Sequence, residues 1–74
     1  MIARILIWSL YDSKTTLEEL RERLPVLPEG DRWVSNDAQD RLGLISFGDE
    51  LPDLGEIPTL IGAEPVIAEE FDVE

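Results

Sequence analysis

Cysteine and histidine are both absent from the 74 residues. The first absence removes disulfides and thiolate metal sites, and the second removes the commonest neutral metal ligand and general base. Without either, the single Lys14 and the hydroxyls of Ser9, Ser13, Thr15 and Thr16 cannot assemble an activated nucleophile, and capping is their simpler role. Bases are scarce: six are scattered along the chain and none follows Arg41. Phosphate contacts need clustered Lys and Arg, so neither nucleic acid nor an anionic membrane surface is an expected partner. Long hydrophobic runs are also missing. The longest apolar-rich stretch, Ile2 to Leu10, contains Arg4 and Ser9, no charged-then-apolar leader opens the chain, and a cytoplasmic location is expected. Gly43, Gly48, Gly55 and Gly62 are spread between turns and a strand rather than gathered into a phosphate-cradling loop.

Acid is what the chain has in excess. Seventeen Asp and Glu give a net charge of −11, and residues 42–74 hold nine of these acids with no base. At 43% hydrophobic residues, in repeated patterns, the chain nevertheless has the material of a folded domain. One domain spanning residues 1–74 is expected. A chain of this size buries only about 60–65% of its unfolded surface, and with disulfides and thiolate sites excluded the remaining support is oligomerisation.

In Ile2-Ala-Arg-Ile-Leu-Ile-Trp-Ser-Leu10 both alternating sets are largely apolar: Ile2, Leu6, Trp8 and Leu10 in one, Ala3, Ile5 and Ile7 in the other. That is the pattern of a central strand. Thr16 followed by Glu19 is a capping-box signature ahead of a helix from Leu17 to Leu24, with Leu17, Leu20 and Leu24 on one stripe, Glu19 and Arg23 paired on the wet face, and Pro25 as terminator. Arg32 to Ser35 and Arg41 to Phe47 predict a hairpin around Asn36-Asp-Ala-Gln-Asp40, and the second of these strands is again apolar on both faces. Leu54, Ile57 and Ile61 have helical spacing, but Gly55 and Pro58 interrupt it; a short irregular helix restarted at Pro58 and capped by Gly62 is expected. Val66 to Val73 then predicts an edge strand with Ile67, Phe71 and Val73 on one side.

Strand, helix, strand, strand, weak helix, strand is the order of an α+β, ferredoxin-like βαββαβ sandwich. Its four-stranded antiparallel sheet has the usual order 4-1-3-2, with the first and third strands central. Two helices cover one face only, so either the Leu6–Trp8 set or the Ile5–Ile7 set must meet another surface, most simply a second copy.

Leu60-Ile-Gly-Ala-Glu-Pro65 and Phe71-Asp-Val-Glu74, taken with Trp33-Val-Ser35 and Leu42-Gly-Leu-Ile-Ser-Phe47, resemble small bacterial members of the dimeric α+β barrel superfamily, which includes cofactor-independent monooxygenases of the antibiotic-biosynthesis type. The resemblance implies a homodimer with two sheets packed face to face and a ligand cavity between sheet and helices in each protomer. The chain departs from the catalytic relatives in its shortness, in its interrupted second helix and in having no histidine.

Trp8, Tyr11, Trp33, Arg41 and Phe47 are the candidate pocket residues, four aromatics and one anchor for a small apolar ligand; ordinary core and interface packing is the competing account. The acidic pairs Asp49-Glu50 and Glu69-Glu70 lack calcium-loop spacing and read as solvated charge. The leading expectation is a homodimeric binding or interaction domain without catalytic residues and without cofactor. The alternative is a cofactor-independent monooxygenase-like or ligand-processing enzyme, and a third expectation has the acidic C-terminal part docking a basic protein.

Overall fold

The structure is a computed structural model describing residues 1–74. Its elements are β1 (Ile2–Ser9), α1 (Leu17–Arg21), β2 (Arg32–Asn36), β3 (Arg41–Phe47), α2 (Ile57–Ile61) and β4 (Ile67–Asp72). The four strands form one antiparallel sheet in the order β2-β3-β1-β4, which reads 4-1-3-2 from the other edge. This α+β arrangement is compatible with a ferredoxin-like fold. β1 and β3, the two strands with apolar residues on both sides, lie in the centre, where each is flanked by two hydrogen-bonded neighbours.

Parity decides what each face of β1 meets. Leu6, Trp8 and Leu10 are buried together with Leu42 and Leu44 of β3, Leu17 and Leu20 of α1, Leu54, and Ile57 and Ile61 of α2. The other set, Ala3, Ile5 and Ile7, is only half-buried and faces away from both helices. The register continues this second face across the sheet in rows: Phe47, Ala3 and Phe71; Arg32, Ile45, Ile5 and Glu69; Val34, Gly43, Ile7 and Ile67. Val34, Phe47, Ile67 and Phe71 are all substantially exposed on it. Trp8 and Leu6, one of the two sets between which the sequence leaves the partner-facing side open, therefore belong to the helix-covered side.

Local chemistry accounts for most element boundaries. Thr16 caps α1 by accepting the Glu19 N–H at 3.2 Å, but the Glu19 carboxylate turns to the Thr15 hydroxyl at 3.0 Å, so the capping box is half made. The helix ends at Arg21, one turn before the predicted Leu24, because Pro25 disfavours helical geometry in the residue ahead of it and the chain tightens through an Arg23 N–H to Leu20 carbonyl bond. Arg23 thus leaves the helix and pairs with Glu56, 3.2 Å away beside α2, instead of with Glu19. α2 is short for the predicted reason. Gly62, at φ 73°, closes it with its N–H on the Pro58 carbonyl. In the hairpin, Asn36 extends β2 by one residue over the predicted Ser35, its side chain accepts the Gln39 N–H, and Asp40 adopts φ 54° to re-enter the sheet.

Candidate functional site

The two helices have five residues each, too few to cover four strands, and the side of β1 nearest β4 is left partly open. Gly55 and Pro58 set that limit by confining α2, and β4 keeps Ala68 and Glu70 exposed on its helix-facing side. The result is a groove of about 660 Å³, walled by Leu6, Trp8, Leu51, Leu54, Pro58 and Ala68, with Glu64 at its rim. A second hollow of about 310 Å³ extends it toward Arg4, sharing Leu6, Leu51 and Ala68 with the first. These volumes lie in the range that small-molecule sites occupy.

Arg4 marks the polar end of this groove. It belongs to a row on the helix-facing side that runs through Ser46 of β3, Arg4 of β1 and Glu70 of β4 and is continued by Asp31, the residue just ahead of β2, through its hydrogen bond with Ser46. Asp31, Ser46 and Arg4 are each at least nine-tenths buried. The Asp31 carboxylate accepts two hydrogen bonds of 3.0 Å, from the Ser46 hydroxyl and from the Phe47 N–H, so it locks the end of β3 to the strand beside it. Arg4 reaches the other way, with Nε and Nη2 each 3.4 Å from Glu70 Oε1, whose side chain is 60% exposed. Its Nη1 is buried without any acceptor. An unpaired guanidinium nitrogen cut off from water is costly.

The five residues singled out from the sequence do not converge. Trp8 lines the groove and forms a tilted pair with Trp33, ring centroids 6.5 Å apart, while the Trp33 indole N–H donates to the Pro25 carbonyl at 3.1 Å. Both indoles are thus on the helix side. Phe47 and Arg41 point to the opposite face, by their register with Ala3 and Ser9, and Tyr11 is 85% exposed beyond the end of β1. Strand alternation separates them, since Phe47 and Trp33 have opposite parity relative to Leu44. The same alternation splits Glu69 from Glu70, and nowhere do three or more acidic side chains gather as a metal site would require.

Sequence reasoning passed over Asp31 and Ser46 and read Glu70 as solvated charge. The available signal was paired: Arg4 interrupts the inward parity of the first central strand, Ser46 interrupts that of the second, and the antiparallel register makes them direct neighbours. Two polar interruptions meeting in one buried row indicate a built feature rather than two accidents. No protein-family model matches the chain, and no curated protein matches it.

Proposed function

We propose that this chain is a homodimeric binding domain without catalytic groups, its two copies packed through the helix-free faces of their sheets. The observation that carries this reading is the uncovered apolar face built by Ala3, Ile5, Ile7, Ile45, Phe47, Ile67 and Phe71. With strands about 4.8 Å apart and about 3.3 Å per residue, its flat footprint is on the order of 400 Å², the size of the largest apolar patch on a monomer, which is often a functional surface.

Charge and side-chain size select one way of pairing the faces. A two-fold axis parallel to the strands lays β2 of one copy over β4 of the other and β3 over β1. In the Arg32–Ile45–Ile5–Glu69 row, each Arg32 then faces a Glu69 of the second copy. Neither residue has an ion-pair partner in its own protomer, and three strand spacings, about 14 Å, keep them apart there. In the next rows Ile7 of one copy comes over Gly43, where the surface has a hollow of about 160 Å³, and Phe47 comes over Ala3. Large side chains meet small ones. A two-fold perpendicular to the strands and centred on the Ile5–Ile45 row would instead set Arg32 against Arg32 and Glu69 against Glu69, which like-charge repulsion opposes.

Sedimentation equilibrium at micromolar concentration tests the reading. The wild-type chain is expected at about twice its 8.4 kDa mass, and Ile5→Lys, which puts a charge at the centre of the face, is expected to be folded and monomeric. A wild-type monomer, or an Ile5→Lys dimer, would overturn it. The ligand-processing alternative, a monooxygenase-like enzyme of the dimeric α+β barrel type, draws support only from the presence of a groove beside Trp8. The aromatic set on which it was based is divided between the two faces of the sheet and a solvent-exposed position.

A further inference from the structure

We propose that the groove along β1 and β4 binds a small monocarboxylate with an apolar body, the body lying against Leu6, Trp8, Leu54 and Ala68 and the carboxylate meeting the Arg4 guanidinium as Glu70 swings aside.

Three observations converge on this ligand class. The groove is mainly apolar along its length, so what it takes from water must be mainly apolar. Between Trp8 and Arg4 it follows about 13 Å of strand, enough for a medium-length acyl chain or an aryl group with a short tail. At its end stands a guanidinium that is nine-tenths buried and whose Nη1 has no acceptor. A carboxylate matches the planar geometry of a guanidinium and supplies the acceptor that Nη1 lacks once the side chain turns that atom toward the groove.

The charge of the head group follows from what surrounds Arg4. Glu70 already shares Nε and Nη2, at 3.4 Å, and Glu64 lines the neighbouring mouth. One guanidinium amid these acids can accept one further negative charge; a phosphate, carrying nearly two, would meet more repulsion than attraction. The acidic rim would by itself favour an amine. Those carboxylates are exposed and screened, however, whereas Arg4 acts at contact distance from inside the protein, where the interaction is stronger. The two long bonds to a largely exposed Glu70 side chain leave that acid able to swing toward solvent as the ligand enters.

This site lies on the opposite side of the sheet from the proposed dimer contact. A monomer that binds the ligand would refute the dimer alone, and a dimer that does not bind would refute the site alone.

Trp8 lines the groove and reports on it, so the test is a fluorescence titration of the full chain with decanoate, decanol and decylamine, each kept below self-association. The expected result is saturable binding of decanoate, about tenfold or more tighter than of the other two. Ala68→Leu, which fills the groove from an exposed strand position, should abolish it. Arg4→Met should weaken decanoate by a similar tenfold and erase its advantage over decanol. No decanoate binding, decylamine binding as tight as decanoate, or decanoate affinity unchanged in Ala68→Leu or Arg4→Met would each overturn the proposal. Should Arg4→Met fail to fold, the head-group comparison on the unaltered chain still decides.

Discussion

Reversing one charge at the edge of the open face should weaken the dimer, and reversing its partner as well should restore it. The perturbations are Arg32→Glu, Glu69→Arg and the two together. In the strand-parallel two-fold each Arg32 faces a Glu69 of the second copy, so symmetry places two such pairs in every dimer. An exposed ion pair contributes about 0.2–1 kcal/mol, and like charges in the same place oppose association by a similar amount. A single reversal removes two attractions and creates two repulsions, a change of about 1–3 kcal/mol, or roughly 5- to 150-fold in dimer dissociation constant. The double reversal should return to within about threefold of the wild type. Because the chain already carries −11, a general rise in repulsion must be separated from the local effect. Lys14→Glu makes the same change in charge at an exposed residue outside the sheet and should leave the dimer nearly unaffected. Sedimentation equilibrium over a concentration series gives each constant, and near 1 M salt, where the Debye length is about 3 Å, the differences should shrink. The reasoning is refuted if the double variant is as weak as the two single changes combined, or if Lys14→Glu weakens the dimer as much as Arg32→Glu does.

Two other substitutions probe the packing of the sheet, the second at a position on the proposed dimer face. Asp31→Ala leaves the fully buried Ser46 hydroxyl and the Phe47 N–H without their acceptor; a loss of about 1–3 kcal/mol, read as a fall in Tm of roughly 5–20 °C, is expected, and an unchanged Tm would show the row to be dispensable. Gly43→Ala puts a Cβ 2.8 Å from Val34 Cγ2, against a β-branched side chain with little rotamer freedom. It should cost about 1–3 kcal/mol and be partly rescued by adding Val34→Ala, whereas a neutral Gly43→Ala would mean that Val34 moves aside freely.

The element order was legible because it rests on strong local signals. Two-sided apolar strands go to the centre of a sheet, Thr16 caps, Pro25 stops, and Pro58 with Gly62 brackets the second helix. The sidedness of β1 was not legible, since Leu6 and Trp8 are as apolar as Ile5 and Ile7, and alternation alone says only that the sets point apart. Helix length misled for a related reason: the stripe of Leu17, Leu20 and Leu24 favours continuing, but the restriction ahead of Pro25 outweighs it. The resemblance implied a cavity between sheet and helices, but the groove's place beside β4 was not legible because it results from what two five-residue helices fail to cover, a property of the packed domain. The buried polar row needed the β1–β3 register, which couples Arg4 to a residue 42 positions away in sequence, Ser46.

The central claim is that the helix-free faces of two copies meet with β1 over β3. Isotope-filtered nuclear Overhauser spectroscopy on dimers mixed from labelled and unlabelled chains tests it most directly. The account predicts intermolecular contacts from the Phe47 ring to the Ala3 methyl group and from Ile7 to the Gly43 α-protons. Intermolecular contacts confined to Leu51, Leu54 or Ala68, on the groove side, would contradict it, as would their complete absence.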